Sequence, residues 1–128
     1  MDGPTVVSHV AVECSDQDSA DRFFTGILGI PKVKSSQLSD ELSQEIFKRN
    51  AGTRFETYDN GTTRFEVFIT AGHKNPTYHH IGIGVDDTHE FITKCQTQGL
   101  QPFVVNKNGK YLLFVRDFSD NLFEIVEK

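Results

Sequence analysis

Apolar and polar residues alternate in several short runs along the chain, and two of these runs resemble each other. Ser8-His9-Val10-Ala11-Val12 and His79-His80-Ile81-Gly82-Ile83 each set branched aliphatics on one face of a strand and a histidine on the other. Each run leads through an acidic turn into a stretch with helical spacing. In the first copy Ser15 is the expected N-cap and Asp16 and Asp18 occupy the first turn, where the helix dipole favours anions. Phe23, Phe24, Ile27 and Leu28 then form an apolar stripe that ends at Gly29. The second helix is expected to begin near Asp87 or Thr88, with Phe91, Ile92 and Cys95 on its stripe and Gly99 at its end.

Both copies continue into a hairpin. Asp59-Asn60-Gly61 separates Thr53–Tyr58 from Thr62–Thr70, and Asn108-Gly109 separates Pro102–Asn106 from Lys110–Arg116. Asn-Gly supplies the positive φ angles that tight hairpin turns require. A last strand, Asn121–Glu127, follows a turn at Asp117–Asp120, and the copies close on the matching tripeptides Phe65-Glu66-Val67 and Phe123-Glu124-Ile125. The pattern is α+β, with strand-helix-strand-strand-strand in each half: one module over 1–70, a second over 78–128, and Ala71–Thr77 as the linker between them. Neither half can bury both faces of its sheet alone, so pairing of the two modules is expected.

The copies differ in length. His9 to Glu66 spans 57 positions and His80 to Glu124 spans 44, which leaves 13 additional residues in the first module. Gln37–Gly52 accommodates them as a helical insert. Leu38, Leu42 and Ile46 fall at helical spacing, Lys48 and Arg49 would lie in the last turn, and Gly52 would terminate it.

Strand alternation then sorts the side chains. Val10 and Val12, Phe65, Val67 and Ile69, Ile81, Ile83 and Val85, and Phe123 and Ile125 take core faces. His9, Ala11 and Glu13, Arg64, Glu66 and Phe68, His80, Gly82 and Gly84, and Leu122, Glu124 and Val126 face the other way. Each module thus presents one histidine and one carboxylate among apolar neighbours, where a carboxylate is costly unless paired or metal-bound. Taken singly, a strand histidine or glutamate is most often a surface or hydrogen-bonded residue. A pair of each at equivalent positions of a repeat points instead to a divalent-metal site of His9, Glu66, His80 and Glu124. Such a set suits Zn, Ni, Co, Mn or Fe(II), with one or two positions open to substrate. His79 lies on the opposite face from His80.

Composition adds limits. The 128 residues include 11 Phe and no Trp, and the formal net charge is -5. That acidic balance gives no electrostatic footprint for nucleic acid or an anionic membrane, so a small-molecule substrate is the expected partner. No apolar run approaches the roughly 20 residues that span a bilayer, and Met1-Asp2-Gly3-Pro4 has none of the features of a secretion signal. Cys14 and Cys95 form no CxxC pattern; each is expected to be a small core or boundary residue rather than a nucleophile, in a reducing, cytoplasmic setting.

Over its whole length the chain resembles the vicinal oxygen chelate superfamily, which includes glyoxalase I, extradiol dioxygenases and bleomycin- or fosfomycin-resistance proteins. The segments that carry the resemblance are His9-Val10-Ala11-Val12, Leu28-Gly29-Ile30, Phe65-Glu66-Val67, His80-Ile81-Gly82-Ile83 and Asp117-Phe118-Ser119-Asp120-Asn121-Leu122-Phe123-Glu124-Ile125. In the last segment Phe118 and Asp120 stand where the family has Pro and Gly. The resemblance implies two βαβββ modules whose curved mixed sheets pair into a cupped, glyoxalase-like site. It also implies that His9, Glu66, His80 and Glu124 occupy the four metal-ligand positions of glyoxalase I.

The implied reaction is that of a lyase or isomerase, in which a metal-stabilised enediolate forms and Glu124 or Glu66 shuttles a proton from carbon. Phe68, Leu122 and Val126 would exclude water, and Arg54, Arg64 and Arg116 are candidates for an anionic substrate tail, although surface charge is the more ordinary role of each. Glu13, about 13 Å along the strand from His9, is a candidate for an outer role. The same residues leave open an Fe(II) extradiol-type dioxygenase using His9, His80 and Glu124, and a non-catalytic binding protein of the bleomycin-resistance kind. A homodimer is expected, and the site would be shared between subunits if the modules pair across it.

Overall fold

Short strands dominate both halves, joined by helices whose ends are set by local capping. The computed structural model describes Gly3, residues 5–71 and residues 77–128, and divides into two units, Met1–Ala71 and Gly72–Lys128. Most of the segment expected to link the modules lies outside the described residues.

In the first unit the strands are β1 (Val10–Cys14), β2 (Lys32–Leu38), β3 (Thr53–Asp59) and β4 (Arg64–Ile69), in the order β1-β4-β3-β2. β1 runs parallel to β4, and the other neighbours are antiparallel. The second unit repeats this with β5 (Ile81–Val85), β6 (Phe103–Lys107), β7 (Lys110–Arg116) and β8 (Leu122–Glu127), ordered β5-β8-β7-β6 with β5 parallel to β8. The expected α+β fold of two βαβββ modules is thus observed, as two open four-stranded mixed sheets.

The helix after β1 starts as α1 (Gln17–Ala20) and widens into a π-helical stretch, Asp21–Ile27, in which Phe23 O accepts from the Leu28 amide at 2.9 Å. Its N-cap is Asp16 rather than Ser15: the longer carboxylate reaches the Ser19 amide at 2.7 Å. That hydrogen bond is the main cause of the lowered pKa of the Asp16 carboxyl. Ala20, Phe23, Phe24 and Ile27 are buried against the sheet. Phe24 stacks on Tyr58 at 5.2 Å and meets Phe65 at 5.0 Å. Gly29 then takes φ +74 and turns the chain towards β2. In the second unit α3 (Thr88–Thr97) is capped by Asp87, whose carboxylate accepts from the Glu90 amide; Phe91 and Cys95 are its buried residues, and Val115, Phe123 and Ile125 are buried on the sheet. Both cysteines are buried, and burial pushes the Cys95 thiol up to about 11. They are core residues, as expected.

The insert is a helix, α2 (Asp40–Phe47), but a shorter one than its apolar spacing suggests. Gln37 and Leu38 end β2, pairing with Arg54 and Thr53. Ser39 caps α2 by accepting from the Leu42 amide, and Lys48 closes it in the left-handed conformation, leaving Arg49 beyond the last turn. Gly52 does not terminate the helix; it passes against the end of β2. A Cβ there would lie 2.0 Å from Leu38 O, and the Gly52 amide donates to Asp40 Oδ1 at 2.7 Å. Gly52→Ala is therefore expected to destabilise the protein by about 1–3 kcal/mol through forced backbone displacement. Urea denaturation reads this, and an unchanged midpoint would contradict the close approach.

Candidate metal centre

Each candidate ligand pair is made by the parallel strand pair of one sheet. Glu66 on β4 has Ala11 of β1 and Thr57 of β3 as register partners, and Glu124 on β8 has Gly82 of β5 and Phe114 of β7. A small residue therefore stands beside each glutamate on the parallel neighbour. His9 and His80 each sit one residue before the strand, on the face of their glutamate. Phe65 and Val67, and Phe123 and Ile125, are buried on the other face. Burial of those flanking residues holds the alternation in register, since a slip of one residue would turn every core side chain outward.

The two pairs have nearly the same geometry. His9 Nε2 lies 3.6 Å from Glu66 Oε1, and His80 Nε2 lies 3.7 Å from Glu124 Oε1. These separations exceed a hydrogen bond. Two ligands at about 2.1 Å from a common ion, at a tetrahedral angle, are about 3.4 Å apart, so both pairs have the spacing of a half-site. The ring orientations also fit. His80 Nδ1 lies 3.0 Å from Tyr78 O; a carbonyl only accepts, so Nδ1 donates there and Nε2 is the nitrogen turned to Glu124. A histidine held through its second nitrogen in this way is the usual arrangement in metal sites. His9 Nδ1 has Ser8 Oγ at 3.1 Å, again leaving Nε2 towards its glutamate. Each pair supplies one nitrogen and one oxygen donor, the ligand types of a divalent-ion half-site.

Within each unit the structure brings together one histidine and one glutamate. Among the described residues no cluster of three or more His, Cys, Asp or Glu side chains is poised around one point. Glu13 is held by Arg49 at 3.3 Å and by the Thr70 hydroxyl at 2.8 Å, at the far end of β1 from His9.

The candidate arginines divide. Arg54 is on the opposite face of the first sheet from Glu66, the helix-covered one, and its Nε binds Glu56 at 2.7 Å. Arg64 is on the face of Glu66 and pairs with Asp59 at 3.1 Å, while Arg116 is on the face of Glu124 and donates to Asp120 O at 3.3 Å. The loop that leads into β8 is braced from within. There the buried Asp117 carboxylate accepts from the Ser119 and Asn121 amides and from the Asn121 side chain. Asp120 takes φ +68 at the position where the family pattern has glycine.

Strand alternation placed Phe68 on the face of Glu66 but missed its partner Phe55 and the Phe103–Phe114 pair beside Glu124. Phe55 and Phe68 stack at 4.8 Å on the face of Glu66, and Phe103 and Phe114 stack at 5.5 Å on the face of Glu124. The cross-strand register that creates these stacks depends on where each hairpin turns, which composition does not report.

Each unit has the βαβββ strand order of glyoxalase-type folds. No protein-family model matches the chain, and no curated protein is similar to it in sequence. Among solved structures, a glyoxalase family protein from Bacillus cereus superposes with a TM-score of 0.77 at 15% identity, covering 98% of this chain and 95% of that one. The fosfomycin resistance protein FosX from Mesorhizobium loti gives 0.71 at 17% identity, covering 97% and 92%. FosX from Listeria monocytogenes, crystallised with Mn(II) and sulfate, gives 0.74 at 14% identity, covering 98% and 91%. What the chain shares with these proteins at such identities is the fold. Among the described residues no helix is long and apolar enough to cross a membrane.

Proposed function

We propose that His9, Glu66, His80 and Glu124 hold one divalent ion, and that the protein is a metal-dependent enzyme acting on a small substrate with adjacent oxygen atoms. The observation that carries this reading is the matched His–Glu pair in each unit, with Nε2 turned to the carboxylate at 3.6 Å and 3.7 Å. The Mn(II) complex of one FosX neighbour supports a divalent ion in this fold. When bound, the ion supplies Lewis acidity towards the substrate oxygens.

The chain's own contributions follow from its residues. Tyr78 O fixes the His80 tautomer, and Ser8 orients His9. Glu66 and Glu124 are the groups able to accept a proton from carbon next to an oxygen and to return it to the neighbouring carbon, as in a glyoxalase-type isomerisation. Phe68 and Phe114 restrict water beside them. A 2-oxoaldehyde–thiol adduct is the first substrate to test.

Metal analysis of the purified protein tests the site. The expected result is one equivalent of divalent metal per chain in the wild type and almost none in His80→Ala. Equal metal in the two proteins would overturn the proposed centre.

A further inference from the structure

The register of the first sheet arranges its site face in successive rows. Arg64 and Asp59 pair across β4 and β3 on the His9 side. Ala11, Glu66, Thr57 and Lys34 form the next row, and Glu13, Phe68, Phe55 and Ser36 the one beyond. Rows are two residues apart, about 6.6–6.8 Å. Helix α2 reaches the third row. Phe47 meets Phe68 edge-on at 5.5 Å, Phe68 stacks on Phe55 at 4.8 Å, and Arg49 beyond the helix reaches Glu13 on β1 at 3.3 Å. The helix is tied down at its base, where Asp40 accepts from Gly52 and the buried Ser43 hydroxyl donates to Ala51 O at 2.9 Å. Yet Phe47 remains 48% exposed, so its ring is not consumed by packing within the unit.

Glu66 thus has a polar flank, the Arg64–Asp59 ion pair, and an apolar flank of three phenylalanine rings. We propose that Phe47, Phe68 and Phe55 form a specificity wall, which receives a flat apolar substituent, an aryl ring by preference, of a substrate whose adjacent oxygens lie at His9 and Glu66. This rests on the metal-centre reading above. The insert helix supplies the outer ring of the wall, which gives the additional residues of the first unit a function. The geometry favours a ring because aromatic groups gain from edge and offset stacking as well as from burial.

The test compares phenylglycolate with lactate, which present the same adjacent oxygens with and without a ring. Calorimetric titration of the Mn(II)-loaded protein is expected to show phenylglycolate binding about tenfold more tightly, the equivalent of about 1.4 kcal/mol. In Phe47→Ala that ratio is expected to fall to about threefold or less, with lactate affinity and metal content unchanged. Equal affinities in the wild type, or an unchanged ratio in the variant, would overturn the wall. So would a change in the mass of Phe47→Ala by light scattering, since Phe47 would then belong to a contact between chains. Saturation-transfer NMR on the metal-free protein separates this inference from the one beneath it. Ring-proton signal from phenylglycolate that is lost in Phe47→Ala supports the wall even if no metal is bound, and equal signal in the wild type and Phe47→Ala counts against the wall.

Discussion

Glu66→Ala and Glu124→Ala are each expected to weaken divalent-metal binding by at least about a hundredfold, more than the roughly 10- to 100-fold that follows loss of an outer hydrogen-bond partner. The glutamates lie in different units, and each stands beside its own histidine, so the pattern of losses is informative. If the two pairs share one ion, the wild type binds one equivalent and either substitution removes it. The double variant is then hardly worse than the single ones, because the loss is strongly non-additive. If the pairs act separately, each variant keeps the affinity of the untouched pair. Equilibrium dialysis against Zn(II) or Mn(II) distinguishes the two, and retention of one tight equivalent by both single variants would exclude a shared centre.

The second large effect concerns stability. Glu56 is fully buried on the helix-covered face of the first sheet, where its carboxylate binds Arg54 at 2.7 Å, Lys32 at 3.4 Å and the Ser35 hydroxyl. Lys32 also reaches Asp21 at 3.2 Å, and Asp21 accepts from the Tyr58 hydroxyl at 2.7 Å, so the network spans β2, β3 and the first helix. Burial raises the Glu56 pKa, but the Ser35 and Arg54 hydrogen bonds and the Lys32 charge together outweigh it and hold the carboxyl below its usual 4.5.

Removing one member of a buried ion pair costs about 3–5 kcal/mol when its partner is left without water. Arg54 is half exposed and Lys32 more than a quarter exposed, so both recover some hydration. Glu56→Ala is therefore expected to lose about 2–4 kcal/mol in urea denaturation. The sign of the pH dependence follows from the lowered pKa. The contribution is complete above the unfolded-state value near 4.5 and disappears as pH falls through the folded-state value. The gap between wild type and variant should thus narrow on acidification, and a gap that widens would contradict the assignment.

The faces of β1, β4, β5 and β8 were legible because branched aliphatics and phenylalanines alternate there with polar residues. The same alternation selected His80 over His79. Asp59-Asn60-Gly61 and Asn108-Gly109 marked both hairpin turns, and Gly61 and Gly109 take φ +94 and +85. β2 was not legible. Lys-Val-Lys-Ser-Ser-Gln-Leu has almost no apolar alternation, since it is an edge strand with a bulge between Lys32 and Lys34. Its Leu38 falls at helical spacing with Leu42 and Ile46, which drew two strand residues into the expected helix. The side on which Arg54 lies was hidden for another reason. Each face of β3 carries an aromatic residue that packs, Tyr58 against Phe24 of the first helix and Phe55 against Phe68 of β4, so neither marks the interior uniquely.

The parallel pairing of the first and last strands in each unit has a kinetic consequence. Val10 pairs with Phe65 and Ile81 with Phe123, so each histidine meets its glutamate only after the whole unit exists. The β3–β4 hairpin can close within about 1–10 μs of becoming available. During synthesis at about 5–20 residues per second, by contrast, His9 precedes Glu66 out of the ribosome by about 3–11 s. Throughout that interval the nascent chain displays an imidazole without its carboxylate, and docking of β1 is the event that matures the half-site.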